Sequence, residues 1–147
     1  MFDYIRYRIH LAKLNKEFRR LLAKAESIER SYKQGENDQG HISFAYQECF
    51  MVEKFIEYRK TCYYTALANR LGLPMPSNLD ETIYMSFDVG DENGPKKILT
   101  EKGLHLVRGQ IRSERKARRD VVSFWFSVTT GLIGAVIGLI SVGHLIE

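Results

Sequence analysis

At 147 residues and a net charge of +4, the chain has room for one modest domain, and its long uncharged C-terminal run has to be set aside before that domain is judged. The first 33 residues alternate charged with apolar residues and hold no uninterrupted apolar stretch, so an N-terminal signal peptide is not expected among them. Cys49 and Cys62 stand 13 residues apart without a nearby Cys or His partner, which argues against metal and thiol chemistry and for two small, reduced core residues.

Tyr4, Tyr7, Leu11, Leu14, Phe18, Leu21, Ala25, Ile28 and Tyr32 are spaced alternately three and four apart, which puts them on one stripe of a long amphipathic helix. The stripe is as narrow as a heptad seam, so a packed helix-helix contact is favoured over a membrane-surface helix. KQGENDQGH, residues 33–41, is polar, holds two glycines and breaks the pattern as a turn does. A second helix follows over residues 42–71. Ala45, Cys49, Val52, Ile56, Tyr63 and Ala66 form its seam, and Phe44, Met51, Phe55, Tyr58 and Cys62 add apolar surface beside it. One partner helix covers about a third of a helix surface, so something besides the first helix should pack on the second. Residues 1–71 are expected to form an antiparallel coiled-coil hairpin, with one core helix in a three-helix bundle as the alternative.

Gly72, Pro74 and Pro76 stop the second helix. Within the acidic loop 72–99, Ile83, Met85, Phe87 and Val89 alternate with polar neighbours, which suggests a short strand hairpinned through GDENGP. DVGDENG offers no register with the ligands of a calcium loop and reads as a turn. Thr100 and Glu101 mark a helix start, and a basic juxtamembrane helix is expected over residues 100–120, weakened at Gly103 and Gly109 by about 1 kcal/mol each relative to Ala.

From Val121 to Ile146 no Lys, Arg, Asp or Glu occurs. At 1.5 Å per residue that run is about 39 Å long, enough for a bilayer core of about 30 Å, so residues 121–146 are predicted to be a transmembrane helix. Arg108, Arg112, Arg115, Lys116, Arg118 and Arg119 crowd its N-terminal side, while the other side has only His144 and Glu147; this predicts a cytoplasmic N-terminus. Trp125, between Phe124 and Phe126, suits the interfacial aromatic belt. All 22 Lys and Arg and 17 of the 18 acids precede residue 121, and that balance of +5 suits a domain held against anionic lipid headgroups. Nucleic acid is not expected as a partner.

His10, His41, His105 and His144 are scattered, and no nucleophile elbow, phosphate loop or paired-ligand motif occurs, so neither catalysis nor a cofactor is expected. Inside the apolar run, Ser127, Gly131, Gly134, Gly138 and Ser141 are spaced four, three, four and three, a stripe of small residues that lets helix backbones approach and predicts self-association. In a cluster of spans, Ser127, Thr129, Thr130 and Ser141 would be the polar side chains available to line a pore.

The segment ILTEKGLHLVRGQIRSERKARRDVVSFWFSVTTGLIGAVIGLI resembles small bacterial and prophage single-pass inner-membrane proteins in layout: a helical cytoplasmic part, a Leu-Thr-x-x-Gly turn, an Arg-rich juxtamembrane helix and a Gly-rich span. Some proteins of this design act in phage defence by sensing an infection product and permeabilising the inner membrane. The resemblance implies an oligomerising, membrane-permeabilising effector triggered by a cytoplasmic protein of phage origin. The alternative is a membrane-anchored adaptor that recruits a cytoplasmic protein without forming a pore.

Overall fold

The computed structural model describes residues 2–32, 39–88 and 94–143, with the side chains of residues 39 and 138–143 left outside that description. The described chain is mainly helical. In order it runs α1 (Phe2–Tyr32), α2 (Gln39–Arg70), β1 (Tyr84–Phe87), β2 (Lys96–Leu99) and α3 (Glu101–Gly143). It divides into two compact units, Met1–Arg108 and Gly109–Glu147, with the boundary inside α3.

In the first unit, α1 contains neither Gly nor Pro, and Asp3 in its first turn and Arg30 in its last complement the helix dipole. Asp3 at its start pairs with Arg70 at the end of α2 (2.7 Å), and Tyr7 stacks on Tyr63 with ring centroids 4.0 Å apart. Farther along, Ala25 packs with Ala45 and Cys49, and the Tyr46 hydroxyl donates to Glu29 at 2.7 Å. The start of α1 therefore lies against the end of α2, and the end of α1 against the start of α2. Three small residues bring the helices close, and Phe18, Leu21, Leu22 and Ile28 close over them.

α2 ends as its sequence demands. Gly72 has a φ of +72°, Gly72 N donates to Asn69 O (3.1 Å) and Leu73 N to Ala68 O (3.0 Å), the pattern of a Schellman cap. Pro74 follows, where no further helical hydrogen bond is needed.

The two strands pair antiparallel, with Tyr84 opposite Leu99 and Phe87 opposite Lys96. The sheet packs on α2: Phe87 meets Phe50 and Phe55 edge to face at 6.5 and 6.4 Å, and the Lys96 ammonium lies 5.6 Å from the Tyr58 ring centre. This sheet is the further cover that the apolar excess of α2 calls for. Ile98 and Val107 are the largest fully buried side chains.

Two expectations are corrected. The strand begins at Tyr84, with Ile83, Tyr84 and Phe87 buried and Met85 only half-buried. Ile83 lies in the turn before the strand, held by a hydrogen bond from its N to Asp80 O (3.0 Å), so it does not belong to the alternation. Cys49 is buried but Cys62 is exposed, because the neighbouring Thr61 is turned towards the sheet in its place. Val89 and most of GDENGP, residues 89–93, lie outside the described residues.

Candidate functional site

The Leu-Thr-x-x-Gly turn joins the sheet to α3. Thr100 caps the helix: its Oγ1 accepts from Gly103 N at 3.1 Å and donates to Thr82 O at 2.8 Å, while its own N donates to Ile83 O at 2.8 Å. Gly103 sits directly against this turn. A Cβ there would run into the Ile83 carbonyl oxygen and lie 2.9 Å from Ile83 Cγ2 and 3.0 Å from Leu99 Cδ2. On the other side of the sheet edge, the buried Thr61 hydroxyl donates to Glu57 O (3.0 Å) and accepts from Leu99 N (2.9 Å), tying α2 to β2.

Beside the turn, a shallow cleft of about 260 Å³ is lined by Glu57, Lys60, Glu101, His105 and Arg108 among others. Two of its charges are engaged locally: Glu57 pairs with Lys54 (2.8 Å), and the Arg108 guanidinium lies 4.5 Å from the Tyr64 ring centre, although its buried Nε has no hydrogen-bond partner among the described residues. No group of three His, Cys, Asp or Glu side chains that could hold a metal occurs among the described residues.

The second unit is helical as far as it is described, and its apolar side chains from Val121 to Ile137 are exposed. α3 is long and apolar enough to cross a membrane, and among the described residues, to Ile137, no part of its most apolar stretch is buried. Val121, Val122, Phe124, Trp125, Phe126, Leu132, Ile133, Val136 and Ile137 are each more than half exposed. The uncharged part from Val121 to Gly143 is about 34 Å long at 1.5 Å per residue. Three of its hydroxyls are satisfied within the helix: Ser127 donates to Ser123 O (3.0 Å), Thr129 to Trp125 O (2.8 Å) and Thr130 to Phe126 O (2.9 Å). Such back-bonding removes the cost of setting a hydroxyl donor in hydrocarbon.

Of the small-residue stripe, Gly131 and Gly134 have open space where a Cβ would sit, and Ser127 is exposed; the side-chain positions 138 and 141 lie outside the described residues. The four hydroxyl residues named as a pore lining do not share a face. At 100° per residue Thr129 lies about 200° round the helix from Ser127, whereas Thr130 and Ser141 lie within about 60° of Ser127.

N-terminal to the apolar stretch, Arg112, Arg115, Lys116, Arg118 and Arg119 are all exposed. Arg112, Arg115, Lys116 and Arg119 fall within about 100° of arc, a single cationic face. Arg118 stands apart from it and pairs with Glu114 at 2.7 Å.

The seam residues of the first unit occupy the α1/α2 side of the helices to different degrees. Leu11, Leu14, Phe18, Leu21, Ile28, Val52 and Tyr63 are half-buried and Ile56 is buried, while Tyr4 and Ala66 are exposed. Thr61, Thr100 and Gly103, which hold the sheet between α2 and α3, were missed as a group. Thr100 carried a capping signal; Thr61 carried none, because a threonine inside a helix usually serves only its own backbone.

Comparison with protein-family models, with curated proteins and with solved structures returns no match to this chain.

Proposed function

We propose that the chain is a single-pass protein of the bacterial inner membrane, with its N-terminus in the cytoplasm, whose task is assembly. α3 spans the bilayer, the cationic face at Arg112, Arg115, Lys116 and Arg119 meets lipid headgroups, and Trp125 sits in the interfacial belt. Copies associate through the stripe from Ser127 to Ser141, and the α1/α2 pair acts as an antiparallel coiled-coil hairpin that a cytoplasmic protein engages. On the resemblance of layout, that protein is a phage product and the assembled spans permeabilise the membrane, an abortive-infection defence.

The observation that carries this reading is the exposed surface of α3 from Val121 to Ile137: an apolar sheath with the Ser127, Thr129 and Thr130 hydroxyls satisfied and open space over Gly131 and Gly134. Lipid replaces water over the sheath, and small residues allow close helix contact where lipid gives no hydrophobic drive for it. A second reading, an adaptor that tethers a partner and never conducts, is favoured by the position of Thr129 away from the face of Ser127 and Thr130, which leaves a pore only a thin polar lining.

Gly134→Leu tests the assembly. It should lower crosslinked oligomer and ion leakage in cells while membrane-inserted amount stays unchanged, and Leu132→Ile should alter none of the three. Unchanged oligomer and leakage in Gly134→Leu would refute the contact face. Absence of leakage from the parent chain during phage infection, with oligomer retained, would favour the adaptor.

A further inference from the structure

α1 has a second face. The side that packs on α2 is centred near Phe18, and at 100° per residue Phe2, Ile5, Ile9, Ala12 and Lys16 lie about 120–200° round the helix from it. Phe2 is 88% exposed, Ile5 48% and Ile9 52%, so three large apolar side chains one turn apart project away from the partner helix. Arg6, Arg8, Lys13, Lys16, Arg19 and Arg20 surround them, all exposed.

The charge on this face is one-sided. Between Asp3 and Lys16 no acid occurs, and Glu17 is the only one before Glu26. Asp3 is itself taken up by Arg70, whose guanidinium holds its carboxyl below the usual range. Among the described residues no carboxylate pairs with Arg8, Lys13, Lys16, Arg19 or Arg20. Arg8, Asn15, Lys16 and Arg19 also line a groove of about 490 Å³ along the helix. The Asn15 amide donates one of its two N–H groups to Leu11 O at 2.8 Å, so the groove's charged donors are the three cations.

We propose that this outer face of α1 docks on an anionic bilayer surface, with Phe2, Ile5 and Ile9 entering the headgroup boundary and Arg8, Lys16 and Arg19 holding lipid phosphates. Apolar side chains flanked by cations, with acids excluded, are what such an interface selects. A nucleic-acid face would use the cations but gain nothing from an aliphatic row. Because the same chain carries α3, the face needs little affinity of its own to be occupied. The proposal adds to the reading of α3 as a span and fails separately from it.

The test uses the full chain with Cys62→Ser and Ala12→Cys, an environment-sensitive fluorophore on the thiol introduced at position 12, and buried Cys49 left unlabelled. The chain is reconstituted into vesicles of phosphatidylethanolamine with phosphatidylglycerol, or of phosphatidylcholine alone, each with and without brominated acyl chains. In the anionic vesicles the label should be blue-shifted and quenched by bromine. Each cation near an anionic surface is worth roughly fivefold in partitioning, so Arg8→Gln, Lys16→Gln and Arg19→Gln together should lower the ratio of docked to undocked label roughly a hundredfold. Ile5→Ser with Ile9→Ser should abolish quenching.

Trp125, the single tryptophan, reports the span in the same samples. A quenched Trp125 with an unquenched label would overturn the docking face and leave the span standing. An unquenched Trp125 would refute the span, and the label would still decide the α1 face. Equal quenching in phosphatidylcholine, indifferent to the three Gln substitutions, would overturn the charge-based docking. A label shift produced by duplex RNA in detergent and absent with anionic vesicles would replace lipid by nucleic acid.

Discussion

The same substitution at two glycines of α3 should have opposite signs. Gly109 has nothing within 4 Å of a built Cβ, so Gly109→Ala gains only helix propensity, about 1 kcal/mol of stabilisation. Gly103→Ala gains the same term but drives its methyl into the Ile83 carbonyl oxygen, with Ile83 Cγ2 at 2.9 Å and Leu99 Cδ2 at 3.0 Å. That oxygen cannot simply move aside, because it accepts the Thr100 N–H at 2.8 Å. Overpacking of this kind costs about 1–3 kcal/mol, and weakening the hydrogen bond adds about 1 kcal/mol. After the propensity gain, a net loss of about 1–3 kcal/mol is expected for Gly103→Ala. At about 4 °C per kcal/mol for a unit of this size, helical circular dichroism of the full chain in detergent should show Gly103→Ala melting about 4–12 °C below the parent and Gly109→Ala a few degrees above it. Gly103→Ala melting at or above the parent would refute the close approach of α3 to the turn at Ile83.

Thr61→Val keeps the shape of the side chain but leaves the buried Leu99 N–H without its 2.9 Å acceptor; chemical denaturation should show a loss of about 1–3 kcal/mol, whereas Cys62→Ser on the exposed side should change little. Phe18→Asp sets an unpaired carboxylate against the Ala25, Ala45 and Cys49 cluster, and should cost more than about 3 kcal/mol; a parent-like melting curve would show that Phe18 does not pack there. The Asp80 carboxylate accepts from Thr82 Oγ1 (2.8 Å) and Thr82 N (2.9 Å), bonds that hold its pKa below the ordinary 3.8. A depressed folded value means that its contribution is fully present above pH 3.8 and is lost as pH falls through the lower folded value. Carboxyl NMR titration should place the Asp80 midpoint below 3.8, and Thr82→Val should return it toward that value.

What the sequence determined by itself is what local rules control. The three-four spacing from Tyr4 to Tyr32 announces α1, Gly72 before Pro74 announces the cap that ends α2, and Thr100 with Glu101 announces the start of α3. The uncharged run after Asp120 likewise marks an apolar helix, since length and composition are properties of one segment. The tertiary structure alone decided what covers the second helix, because burial depends on residues far away in the chain. Phe87 reaches Phe50 and Phe55 only once the strands have paired, and the Thr61 hydroxyl meets Leu99 N across 38 positions. That contact turns Thr61 inward and leaves Cys62 outside, a choice no helical period encodes, since adjacent residues lie about 100° apart and a wide apolar face accepts either. Gly103 shows the same division. A helix rule reads it as a weak point, but the Ile83 carbonyl packed against it makes the missing side chain the condition for joining sheet to helix.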